Sequence, residues 1–160
     1  MNNRNGFTLI ELVVVIVILG ILAVTAVPKF INLKDDANTA TLQAVEASMK
    51  SAIAMVYAKS IIKGNQNLTA GAGVVVDING SDLSIKYGYP RADYSSVSAK
   101  GSWEDLIDLD ASVFSSIIVG GHFVIYIGET PPTGLNDKCI VGYKQVNGPT
   151  STPEITLNDC

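Results

Sequence analysis

The chain has 160 residues, 48% of them hydrophobic, enough apolar material for one small domain with a real core. Its formal net charge is −4 and its Lys and Arg residues form no run, so the basic footprint of a nucleic-acid binder is missing. Much of the apolarity sits in the first thirty residues, and the simplest division is an anchor followed by a domain rich in Gly, Ser, Thr and Asn.

The first element is the run "NGFTLIELVVVIVILGILAVTAVPKF" from Asn5. From Phe7 to Val27 it is about 21 residues long, sufficient as an α-helix to cross a bilayer core. Glu11 stands near its start, and an ionisable group at membrane depth needs a partner or a task. A secretory signal peptide would use Arg4 as its charged region, Leu12 to Ala23 as its apolar region and a cut after Ala26. Against this, Glu11 interrupts the apolar run and the helical pattern continues beyond Pro28. A plain transmembrane anchor explains retention but leaves Glu11 unexplained.

A third reading comes from resemblance. "GFTLIEL" at Gly6 to Leu12 follows the short charged leader "MNNRN", and joins Gly6, Phe7 and Glu11 to a continuous apolar helix with Pro28 at the usual distance. This resembles the N-terminal signature of type IV pilins, as class IVa-like prepilins, and of the related pseudopilins. The apolar run and "VPKFINLKDDA" are most similar to the mannose-sensitive haemagglutinin (MSHA) pilins of Gram-negative bacteria. The likeness covers roughly the first forty residues.

The resemblance implies a membrane aspartic peptidase, the prepilin peptidase, that cuts between Gly6 and Phe7 on the cytoplasmic side and methylates the new Phe7 amine. Gly6 suits that role, because a residue without a side chain leaves the scissile backbone open. Arg4 on the cytoplasmic side agrees with the positive-inside rule. The resemblance further implies a precursor in the inner membrane, raised by an assembly platform and its ATPase into an extracellular filament of identical subunits. There the Phe7 amine meets Glu11 of a neighbouring subunit. Paired, the charges partly cancel, while mispaired registers stay penalised. The alternatives are that Glu11 pairs with its own Phe7 amine or caps the first helical turn. The implied segments are a leader at 1–6, a membrane and filament-core helix at 7–30, an amphipathic continuation at 31–63 and a head at 64–160.

Past Pro28, Leu42, Val45, Met49, Ala52, Ile53 and Val56 recur at spacings of three and four among polar residues, which predicts an amphipathic helix. Pro28 should bend or loosen the helix without ending it, and Gly64 is suited to its C-terminus. The stripe is core packing, and Gly20 and Ala23 would permit close helix approach.

"GVVVDINGSDLSIKYGY" predicts a hairpin around Asn79 and Gly80. "HFVIYIGE" from His122 and "KCIVGYKQV" from Lys138 are the strongest strand patterns, and "PEITLNDC" adds a last strand after the turn "NGPTSTP". Between them "GSWEDLIDLDASVF" predicts a short helix, with Ser102 and Asp105 as a loose capping box. The sum is an α+β fold, an antiparallel sheet of about four strands packed on the second half of the long helix, as in pilins.

Cys139 and Cys160 are the only cysteines. Outside the cytoplasm they favour a disulfide, whose loop would contribute about 3 kcal/mol. In placement they resemble the C-terminal staple of pilins, and they tilt the reading away from pseudopilins, whose major subunits usually lack the pair and rely on calcium. With Cys160 last, exposure of Thr150 to Asp159 is expected.

Catalytic residues are scarce. The single His122 heads a strand and has no Ser/His/Asp order around it. "GAGVVV" at Gly71 lacks the third glycine and the helix of a dinucleotide site. No cofactor and no metal are expected: two distant cysteines give no zinc set, and the acidic segment Glu104 to Asp110 matches no EF-hand loop, reading better as a solvated helix face than as a calcium site. Trp103, Tyr89 and Tyr94 could stack on sugars but more often cover a core edge. The sequence thus points to a structural protein, not an enzyme: a prepilin polymerising into an adhesive filament that meets a host or surface glycan receptor. A pseudopilin of a type II secretion system is the alternative within that class. A secreted carbohydrate-binding module is the alternative from another.

Overall fold

The computed structural model describes residues 7–71, 73–92 and 103–160, with the backbone alone for 27–32 and Glu104. The expected leader with Gly6, the aromatic Tyr94 and the capping residue Ser102 lie outside the described residues. Two compact units divide the chain, one ending at Ala37 and the other Asn38–Cys160.

Helix α1, Leu9–Lys63, runs for 55 residues and its backbone continues through Pro28. It ends at Gly64, whose φ of 74° suits a residue without a Cβ. Gly64 N–H donates to Ile61 O at 3.0 Å and Asn65 N–H to Ser60 O at 3.1 Å. This pair of bonds is a Schellman motif and occupies carbonyls the helix would otherwise leave open.

In the second unit, α1 buries the predicted stripe of Leu42, Val45, Met49, Ala52 and Val56, with Ile53 partly buried. Two sheets share that stripe. The first is β1 (Val75–Ile78), β2 (Ser81–Lys86) and β3 (Tyr89–Pro90), in the order β1-β2-β3. Both of its connections are two-residue turns with both φ values positive, Asn79 and Gly80 at 53° and 85°, Tyr87 and Gly88 at 50° and 84°. That is the type I′ geometry whose twist fits a hairpin. Val76, Ile78, Leu83 and Ile85 pack with Val56 in a core of their own.

The second sheet is β4 (Ser115–Val119), β5 (His122–Tyr126), β6 (Ile140–Lys144) and β7 (Glu154–Asn158), antiparallel throughout in the order β4-β5-β6-β7. Phe123, Ile125, Val141 and Tyr143 face Leu42, Val45, Met49 and Ala52. The α+β arrangement is therefore the expected one, but its strands fall into two sheets. Pro90 has no N–H with which to extend β3. The sheets are joined by side chains instead: Tyr143 OH donates to Pro90 O at 2.6 Å and Ala92 N–H donates to Gln145 Oε1 at 3.2 Å.

β4 is absent from the predicted strands, because it is an edge strand with only Ile117 and Val119 half-buried. The available signal was Gly120-Gly121 between two β-branched runs, with φ values of 58° and 79°. The expected helix at 101–114 is cut to α2, Trp103–Leu106. Asp110 explains part of this, since its Oδ1 accepts from Ser112 N–H at 2.9 Å and Ser112 Oγ at 2.7 Å, a local turn that competes with helix.

Candidate functional site: the N-terminal helix start and the C-terminal loop

The apolar segment begins with a local device. Thr8 precedes α1, and its N–H and Oγ1 both donate to Glu11 Oε2, at 3.0 and 2.9 Å; Glu11 N–H lies 3.4 Å from Thr8 Oγ1. This is the reciprocal capping box of a Thr-x-x-Glu start, two exposed backbone donors satisfied by two side chains. Within one chain, Glu11 thus caps the helix. Thr8 was the residue missed by sequence reasoning, although its spacing to Glu11 carried the signal. Phe7, immediately outside the cap, is 81% exposed.

Behind the cap, Leu9–Ala26 has a mean hydropathy of 3.0 and none of it is buried. It is long and apolar enough to cross a membrane. Such a surface, apolar on all sides, requires lipid or other helices around it. Gly20 has open space about it, as close helix approach requires. Pro28 lies in α1 past the span and removes the N–H that would reach Val24 O.

Cys139 and Cys160 are bonded, with Cα atoms 4.4 Å apart. The closed loop holds β6 and β7, and its end is tied down. Cys139 N–H donates to Asp159 O at 3.2 Å, and Cys160 N–H to Thr39 Oγ1 on α1 at 3.0 Å. Asn158 Nδ2 donates to Leu135 O and Asp137 O. The expected exposure of Thr150 to Asp159 needs correction: Thr150 to Thr152 and Asp159 are exposed, while Ile155 to Asn158 are half-buried by pairing and packing. The preceding turn is held by Asp137, whose carboxylate accepts from Thr133 N–H and Gly134 N–H; the Thr133 bond above all holds its pKa below the usual range.

The remaining residues singled out from sequence are structural in place. Trp103 is buried, stacked on Phe123 at 5.7 Å and edge-on to Tyr143 at 4.6 Å, so its face is not offered to a sugar. Tyr89 stacks on Tyr57 at 4.7 Å. His122 opens β5, half-buried. Asp105, Asp108 and Asp110 are exposed, and among the described residues no three His, Cys, Asp or Glu side chains group as a metal site.

Residues 1–27 match the family described as the prokaryotic N-terminal methylation motif. Over 58 residues the chain is 57% identical to the type IV narrow pilus major component PilA5 of Thermus thermophilus, a stretch covering 35% of this chain and 50% of that protein. The chain thus spans about half the length of the curated relative it matches. No solved structure matches it. In its methylation motif, its exposed apolar helix and its α+β head, the chain is similar to a type IV pilin.

Proposed function

We infer that the chain is the precursor of a type IV pilus subunit, cut by a prepilin peptidase after Gly6, N-methylated at Phe7 and polymerised through α1 into a surface filament. The observation that carries this reading is the wholly exposed apolar segment Leu9–Ala26 headed by a carboxylate. A surface of that kind is stable in a membrane and, after extraction, in a bundle of identical helices. Cutting after Gly6 places a new cation one residue before Thr8, beside the capped Glu11. In the bundle Glu11 meets the amine of a neighbouring subunit, and the pair sets subunit register, since an unpaired charge in a dry bundle is penalised. Likeness of "VPKFINLKDDA" supports an MSHA-type subunit serving attachment, with the platform and ATPase supplying the work of assembly. The family is structural, and the chain's own chemistry is that of a building block.

The test is the intact mass and N-terminal sequence of material sheared from cells. A methylated Phe7 start supports the filament. A start at Val27 refutes it in favour of a conventional signal peptide.

A further inference from the structure

Two Asn-x-Ser/Thr triplets occur in the chain, Asn67-Leu68-Thr69 and Asn79-Gly80-Ser81, each the minimal acceptor for an N-linked glycan. They differ in what lies two residues upstream. Before Asn79 stands Asp77, which completes the five-residue form Asp-Ile-Asn-Gly-Ser; before Asn67 stands the neutral Asn65. A carboxylate at that position gives an N-linking enzyme a charge to grip beside the acceptor amide.

The fold separates the two further. Asn79 is the first residue of the β1–β2 turn, exposed, with exposed Asp77 at its side. The neighbouring Gly80 has no heavy atom within 4 Å of where a Cβ would stand, so the space above the turn is open. Gly80 N–H approaches Asp77 Oδ1 at 3.4 Å, a long bond that yields readily. Opening this tip for an enzyme breaks the rungs Ile78 against Ser81 and Asp77 against Asp82, releases the Lys59 Nζ–Asp77 O bond and lifts Ile78 from its core, an opening confined to one end of one hairpin. Asn67, Leu68 and Thr69 are exposed as well, but the backbone there is held beside the triplet and at its middle residue. Asn65 is buried and its Nδ2 donates to Val75 O at 2.9 Å; Leu68 N–H donates to Asn65 O at 3.1 Å and Leu68 O accepts Tyr87 N–H at 2.8 Å. Drawing Asn67 into an enzyme would pull on β1 at Val75 and on the β2–β3 turn at Tyr87.

We propose that Asn79 is an N-glycosylation site, read by an oligosaccharyltransferase through Asp77 and Ser81. The donor is a glycan carried on the diphosphate of a membrane lipid. The Asn79 amide nitrogen attacks the anomeric carbon; the C–N bond forms as the sugar's C–O bond to diphosphate breaks, the lipid diphosphate leaves with the electron pair, and one amide proton passes to the transferase. The site rests on the head leaving the cytoplasm, as the pilus reading requires. A bulky, hydrated group at the hairpin tip then covers one part of the exposed head.

The experiment maps the full chain sheared from its native cells. Trypsin releases 64–86, which holds both triplets, and fragmentation locates any glycan within it. The expected result is a glycan on Asn79, Asn67 unmodified, and complete loss of the glycan in Asn79→Gln and in Asp77→Asn but not in Asn67→Gln. Both Asn79→Gln and Asp77→Asn alter exposed side chains of the turn; a single cooperative urea transition, at a somewhat lower midpoint for Asn79→Gln because Asn79 has a φ of 53°, shows that the head still folds. An unmodified or merely deamidated Asn79 overturns the proposal, as does a glycan on Asn67 or one that survives Asn79→Gln. The N-terminus read on the same sample keeps the two readings apart. A methylated Phe7 with bare Asn79 removes the glycan alone, and a Val27 start with glycosylated Asn79 removes the filament alone.

Discussion

Replacing Tyr143 by phenylalanine removes one oxygen from the centre of the head. Tyr143 is fully buried, and its OH donates at 2.6 Å to Pro90 O. The ring's contact with Trp103 survives the change, so the loss falls on the bond and on the carbonyl it leaves unpaired. An unsatisfied buried acceptor costs about 1–3 kcal/mol. With a urea slope of about 1–3 kcal/mol/M, Tyr143→Phe should lower the unfolding midpoint by about 1 M with the slope unchanged. Trp103, the only tryptophan, reports on unfolding from beside Tyr143, in detergent-solubilised protein. pH adds a second check. Burial, and then the nearby Tyr89, raises the Tyr143 pKa above its usual value near 10. A raised folded-state pKa gives stability that is present below the unfolded value and lost as pH rises beyond it, at up to about 1.4 kcal/mol per unit. The gap between wild type and Tyr143→Phe should therefore narrow above pH of about 10. Equal midpoints at neutral pH, or a gap that stays constant into the alkaline range, would refute the reasoning.

Glu11→Val should be cleaved normally yet yield few filaments, whereas Thr8→Val, which removes only the cap and about 1 kcal/mol of helix stability, should still assemble. Abundant filaments of normal length from Glu11→Val in sheared preparations would remove the register role. Opening the disulfide with Cys139→Ser/Cys160→Ser should cost about 3 kcal/mol by loop entropy, and reductant should then shift the wild-type urea midpoint but not the variant's. Gly88→Ala meets both a φ of 84° and a Cβ position 2.8 Å from Ser60 Oγ and 2.9 Å from Tyr57 Cδ2, while Gly80→Ala meets a φ of 85° in open space. Both carry the left-handed penalty of about 1–2 kcal/mol, and thermal melts should show Gly88→Ala clearly the worse.

Local patterns were readable wherever the chain's own spacing sets the outcome. The stripe from Leu42 to Val56, the stop at Gly64, the Asn79-Gly80 turn and strands β5, β6 and β7 all follow from periodicity or turn chemistry within a few residues. The Thr8–Glu11 cap belongs with them, since a Thr-x-x-Glu spacing is local too. β4 escaped because an edge strand with two half-buried side chains carries little alternation, and α2 fell short because the pattern does not weigh the Asp110–Ser112 turn against helix.

By itself the sequence determined the methylation motif, the membrane-length helix, the α+β class and the carboxylate that needs a partner, because each depends on residues adjacent in the chain. The tertiary structure alone decided that the strands form two sheets sharing one helix stripe. It decided that Tyr143 and Gln145 join those sheets, and that Trp103 lies inside while Asn79 stands in the open. Those outcomes depend on contacts between residues far apart in sequence. Burial and hydrogen-bond partners are properties of the packed chain, and no spacing along it states them.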